Sequence, residues 1–264
     1  SITVNFVDDK PETSGVTYVL KYKHSQEANY TTVSGLSASD VLYTIGNVVS
    51  GTSYTIAVAS VCSDGVQTNF AQTNVIVPCS VNSLPWTENF DFNPFGDVSC
   101  WERKSGLLPS EGIVQSSSLT DGSRFDYNAD DQNIVANIYS TSFHHWLISP
   151  SFDFGDGSTT YALSFSAMVQ GYNGGNAQAA SDDKFAVLIS TDGGLSWDLA
   201  NALIYADADT DTEHNYSDLF DQWTTQIVQL VDNQGNPLSG IVKFAFYGES
   251  SEDNADNNLF IDNV

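Results

Sequence analysis

Basic side chains are scarce in this 264-residue chain. Two Arg and six Lys face 33 Asp and Glu, giving a formal net charge of -25. A nucleic-acid partner is therefore excluded, because a phosphate backbone needs a basic footprint that eight cations cannot form. An anionic membrane surface is excluded on the same ground. Cysteine is nearly as rare: Cys62, Cys79 and Cys100 are too few for a disulfide scaffold, and without a CxxC spacing they point to neither zinc nor redox chemistry. One bridge in an exported protein or three thiols in a cytosolic one both fit these three positions. No apolar run reaches the length of about eighteen residues that a membrane-crossing helix requires, and no signal peptide opens the sequence. Runs rich in Ala, Leu, Glu and Lys are missing too, so no helix is expected.

What remains is a core-forming composition, 41% hydrophobic and 12% aromatic, set among Thr, Ser, Asn, Asp and Gly. Such a chain folds despite its charge, and its texture predicts β structure throughout. Up to about Val77 the short alternating runs ITVNFV, VTYVLKYK, NYTTV, VLYTIGNV, SYTIAVASV and TNVIV are separated by turn residues at sandwich spacing. A linker, SVNSLP, follows. The rest carries about eleven strand-like segments, among them HWLISPSFDF, TYALSFSAMV, KFAVLIS, TTQIVQL and VKFAFYG, enough for a jelly roll with long loops.

Three acids fall on apolar strand faces. A period of two places Glu88 with Trp86, Phe90 and Phe92, Asp183 with Phe185, Val187 and Ile189, and Asp262 between Phe260 and Val264. A buried carboxylate needs a donor, a proton or a cation. One structural Ca²⁺ held by Glu88, Asp183 and Asp262 would answer all three, since it takes oxygen ligands from distant residues. The alternative places these acids at strand ends, where water reaches them.

Other motifs have structural readings. Ser190-x-Asp192-x-Gly194-x-x-Trp197 fits the Asp-box hairpin, with Asp192 folding back on backbone amides and Trp197 packing beneath. A propeller repeats this motif, and here it occurs once. The acidic run Asp207, Asp209, Asp211 and Glu213 starts like a calcium loop but has Thr212 and Asp218 where the loop needs Gly and a bidentate Glu. A second acidic loop, SSEDNADNN, precedes the last strand. His144 and His145 are adjacent on a strand and point to opposite faces, so they and His214 make a poor zinc set. No GxSxG, Ser-His-Asp or Cys-His arrangement stands out, and a glycosidase-type carboxylate pair is unrecognisable among 33 acids.

Two family resemblances follow from motif order. The YVLKYK run, then YTIGNVVSGTSYTIAVASV, resembles a fibronectin type III domain over residues 1–79, whose tyrosine corner would be Tyr54. Phe6 stands where that family has the Trp of its second strand, which implies an incomplete domain and a chain cut from a longer protein. LPWTENFDF, Cys100-Trp101, HHWLISPSFDFG, YALSFSAM, DDKFAVLISTDGGLSW and NLFIDNV, in this order over residues 84–264, are similar to the cleaved adhesin domains of gingipain-type haemagglutinin regions. These are MAM-like jelly-roll sandwiches of surface proteins. The resemblance implies a bridge between Cys79 and Cys100 around the first strand of the second domain, with Cys62 free.

The expected fold is all-β: an incomplete fibronectin type III-like sandwich followed by a MAM-like jelly roll. The resemblance further implies a non-catalytic adhesion module, secreted or on a bacterial cell surface, that recognises host extracellular protein or glycan and does not insert into a membrane. The alternative is an ancillary module of a secreted protease or glycoside hydrolase whose catalytic domain lies outside this fragment. Residues 105–142 and 201–221 match no motif, and their aromatics, together with Tyr172, are the candidate ligand contacts. Chief among these are Tyr127, Tyr139, Tyr172, Tyr205 and Tyr216, since aromatic faces bury large areas against sugars or proteins.

Overall fold

The computed structural model describes residues 1–6, 15–37, 39–40, 42–178, 181–207, 215–232 and 234–264. It is an all-β protein: helix among the described residues is limited to three short 3-10 turns. None of these is long and apolar enough to cross a membrane. The chain forms two compact units, Ser1–Cys79 with Phe95–Cys100, and Ser80–Pro94 with Trp101–Val264.

In the first unit the strands Thr31–Leu36, Thr17–His24, Ser53–Val61 and Ala71–Ile76 form an antiparallel sheet in that order, and Ile2–Asn5 pairs with Leu42–Ile45. Alternation in TYVLKYKH and SYTIAVASV turns Leu20, Tyr54 and Ile56 to a core shared with Ile2 and Ile45. Tyr54 closes the corner expected of it: its ring is buried and its hydroxyl accepts a hydrogen bond from the Val49 N–H at 3.1 Å. The segment Phe95–Cys100 is tied in by the Cys79–Cys100 disulfide and by the Val98 N–H donating to the Gly51 carbonyl. Only glycine suits position 51. Its φ is +75°, and a Cβ would lie 2.3 Å from the Val98 carbonyl oxygen and 2.5 Å from Cys100 Sγ.

The second unit stacks two sheets. One, of five strands, runs Phe125–Asn128, Asn133–Ile138, Asn257–Asp262, Tyr161–Gly171, Thr224–Leu230. The other, of eight, is built on Ile241–Ser250, which pairs with Phe143–Ile148 on one side and Lys184–Ser190 on the other. Phe165 from the first sheet meets Phe246 from the second at 5.1 Å, and Phe185 stacks on Phe246 within the core.

The eight-stranded sheet is apolar on its outer face as well. There Trp146, Ala186, Leu188, Ala245 and Tyr247 pack beneath Leu108, Val114, Leu119 and Trp197. That double burial explains why KFAVLIS reads as a continuous apolar run rather than an alternating one. Residues 105–121, unmatched by any motif, thus serve largely as a cover for this sheet.

The bridge generates a prediction. It spans 21 residues of sequence, so Cys79→Ser should lower the unfolding free energy of the first unit by about 3 kcal/mol in urea titration. Cys62→Ser, at an exposed free thiol, should leave it unchanged.

Candidate functional site

The three acids expected to share one calcium ion lie at two ends of the second unit. Asp183 is fully buried beside Asn257, whose side-chain N–H donates to its Oδ2 at 3.4 Å. Asp262 lies five residues further along the same strand, a rise of about 17 Å. Glu88 is at the Asp262 end, where it exchanges both main-chain hydrogen bonds with Val264. The single site of Glu88, Asp183 and Asp262 is therefore corrected: strand length separates Asp183 from the other two. Among the described residues no group of three His, Cys, Asp or Glu side chains is gathered to hold a metal ion. The regular strand expected for LPWTENFDF is also absent, because extended pairing stops at Asn82–Ser83 and Phe90 takes φ +50°.

Each acid shows the strain of its position. Burial raises the Glu88 carboxyl above the ordinary range, as it does for Asp262, and the negative charge of Asp91 adds to both. Burial pushes Asp183 up to about 7, and the neighbouring charge of Asp182 adds to the shift. Asp183 Oδ1 and the buried Tyr216 hydroxyl interact, yet neither has a partner in good hydrogen-bond geometry. Asp182 behaves oppositely: hydrogen bonds from Asn254 and from the Ser251 and Glu252 amides outweigh its burial and hold its carboxyl low.

A row of polar side chains lies on the covered face of the eight-stranded sheet. His144, Glu249, Lys184 and Asp207 are successive partners across four strands. Lys184 Nζ meets Glu249 Oε1 at 2.8 Å, the Tyr247 hydroxyl donates to Glu249 Oε2 at 2.6 Å, and Tyr205 donates to Asp207 Oδ2 at 2.9 Å. These carboxylates are engaged by one cation and two phenol donors, so the row works as a hydrogen-bonded brace for the strand Ala202–Asp207. Asp209, Asp211, Glu213 and His214 of the adjoining acidic run lie outside the described residues. His144 and His145 point to opposite faces as expected. His145 packs edge-on against Phe143, and burial lowers its pKa to about 4, leaving it neutral. The Asp-box is a structural turn: Asp192 accepts from the Leu195 and Ser196 amides and from the Ser190 and Ser196 hydroxyls, while Trp197 is buried.

Between the two sheets a cavity of about 330 Å³ is lined by Trp86, Phe152, Phe154, Tyr161, Leu230 and Phe244, with Glu88 its one acidic residue. It is a largely apolar recess in which Glu88 and Tyr161 are the titratable side chains.

The outer face of the five-stranded sheet differs from all of these. Even-numbered residues of Tyr161–Gly171 point outward, and Tyr172, just past the strand end, shares their parity and is 55% exposed. Trp223, 44% exposed, immediately precedes Thr224, the partner of Ala167, and its ring reaches Phe260 at 6.2 Å across Met168. Register then defines rows. Met168, Phe260 and Val135 form an apolar row, Gln170, Asn258 and Asn137 an amide row, and Thr225, Ser166 and Asp262 a hydroxyl and acid row. Ile227, beside Ser164, is 70% exposed.

Of the five tyrosines singled out in the sequence, only Tyr172 is exposed. Tyr216 is 1% exposed and is corrected from ligand contact to core residue, edge-packed on Phe220 beside Asp183. Tyr205 is half-buried on the covered face. Tyr127 is half-buried with its hydroxyl on the Asp91 carbonyl, and Tyr139 is half-buried with its carbonyl accepting from Arg124. Trp223 was missed, although the alternation of DQWTTQIVQL puts it on one face with Thr225, Ile227 and Gln229.

Asp183 supplies a pH prediction. Its folded pKa is raised, so its stabilising contribution is full below the unfolded value near 4 and is lost as pH rises through about 7. Asp183→Asn should match the parent at pH 4 and exceed it by a few kcal/mol at pH 8 in chemical unfolding. A variant weaker than the parent at pH 8 would mean that the ionised carboxylate is held by a cation.

No family model matches the chain, and no curated protein does. Among solved structures it is similar to the K1 cleaved adhesin domain of Lys-gingipain from Porphyromonas gingivalis W83, at 14% identity over 67% of this chain and 94% of that one, with a TM-score of 0.38. The K3 domain of the same protein is similar at 16% identity over 68% and 96%, with a TM-score of 0.37. A carbohydrate-binding module of the β-sandwich superfamily is similar at 11% identity over 94% and 84%, with a TM-score of 0.33.

Proposed function

We propose that this chain is a non-catalytic binding module of an exported surface protein, holding an extracellular macromolecule, host protein or glycan, on its second unit. The observation that carries the reading is the contrast between the two outer faces. One is covered by residues 105–121 and Trp197, while the other exposes Ile227 on a strand and Trp223 and Tyr172 at strand ends. Large apolar side chains exposed together on a rigid scaffold are costly in water and are a feature of binding surfaces. The Cys79–Cys100 bridge supports export to an oxidising compartment.

Calcium enters this proposal only at the Glu88 and Asp262 end, where main-chain oxygens would complete the shell of two carboxylates with raised affinity for protons. Calcium chloride should then raise the melting temperature above that in excess chelator, and Asp262→Asn should abolish the difference. Superimposable melting curves for the parent protein would reject the ion.

The function is tested by screening the purified chain against matrix-protein and glycan arrays, beside peptidase and glycosidase assays. Binding without turnover is the expected result. Turnover that disappears on changing one or two acids would overturn the reading.

A further inference from the structure

The uncovered face of the five-stranded sheet has a composition at odds with the rest of the molecule. In a chain of net charge -25, its central residues Ser164, Ser166, Met168, Gln170, Asn258, Asn137, Thr225 and Phe260 carry no charge. Acids stand at its borders: Asp262 at one end, Asp256 against Asn137 at the other, and Asp126 on the edge strand, beside Arg103 at 3.4 Å. Anionic polymers are repelled by the molecule as a whole, and between the bordering acids the strip itself offers amides, hydroxyls and apolar groups rather than charges.

The order of groups along the face is equally specific. Same-face neighbours on a strand are about 6.7 Å apart, so the row crowned by Trp223, the amide row and Tyr172 follow one another over about 13 Å. Two exposed rings thus bracket a row of amides. The amides are set by their own bonds: Asn137 Nδ2 donates to Asp256 Oδ1 at 2.7 Å and to Asn258 Oδ1 at 3.2 Å, and Asn258 Nδ2 donates to the Tyr172 carbonyl at 3.4 Å. Aromatic faces take the C–H face of a pyranose ring, and amides and hydroxyls take its hydroxyl groups.

We propose that this face is the binding platform for a neutral polysaccharide, with Trp223 and Tyr172 as stacking residues and the Gln170, Asn258 and Asn137 row between them reading hydroxyl groups. The chain would lie along the strands, whose eleven-residue member Tyr161–Gly171 is long enough for several sugar units. This inference rests on the binding-module reading and names the ligand class and the surface.

The test is affinity electrophoresis of the whole chain in native gels containing soluble β-glucan, xylan or galactomannan, with heparin as the charged comparison and immobilised fibronectin and collagen as the protein arm. At least one neutral polysaccharide should retard the protein, heparin should not, and Trp223→Ala should weaken the interaction about tenfold, the size of a central anchor's truncation. Tyr172→Ala should weaken it several-fold. Should Trp223→Ala fail to fold, Tyr172→Ala and Ser164→Arg, both at exposed positions, carry the test.

Retardation unmoved by these variants would overturn the proposal, as would binding confined to heparin or to the protein arm. In those cases the binding-module reading stands. No binding in any arm would overturn both.

Discussion

The strand Ile241–Ser250 is buried on both faces, and the second unit is built around that constraint. Its alternate residues Phe244 and Phe246 fill the space between the sheets, while Ala245 and Tyr247 fill the space beneath the covering loops. A strand wet on one side needs apolar residues at every second position; this one has them in succession from Phe244 to Tyr247, as Lys184–Ser190 does from Phe185 to Ile189. Covering the outer face then recruits Leu108, Val114, Leu119 and Trp197, and it draws Glu249 and Lys184 into a paired, partly dry row. The five-stranded sheet has no such demand, and its outer side exposes Trp223, Tyr172 and Ile227.

The acidity has a local physical use. Only four ion pairs link described side chains, so most of the 33 acids lack a cation. Many serve instead as acceptors for backbone amides in turns, as Asp153, Asp156, Asp192, Asp198 and Asp232 do. Asp has the shorter side chain and reaches the amide two residues on, which Glu does less well; this accounts for the preference of Asp over Glu. Asp183 differs from these turn acids: it is buried, and burial raises its pKa.

Much of the fold was legible in the residues. The strand runs, the buried Tyr54, the Asp192 turn and the burial of Asp183 all follow from short-range patterns whose physical cause is local: alternation, turn acceptors and ring size. The candidate site was less legible. Loop aromatics look alike in sequence whether they pin a loop, as Tyr205 does, sit in the core, as Tyr216 does, or face water, as Tyr172 does. Which of these holds depends on what packs over the residue, and that comes from segments far away in the chain.

By itself the sequence determined that this is an all-β, strongly acidic chain, because composition and period-two patterning act residue by residue. Tertiary structure alone decided that Asp183 lies a strand's length from Asp262 and that Trp223 reaches Phe260 on an uncovered face. Both are consequences of register and of the order of strands in a sheet. Those are set by the sum of long-range packing, and no single stretch of residues encodes them.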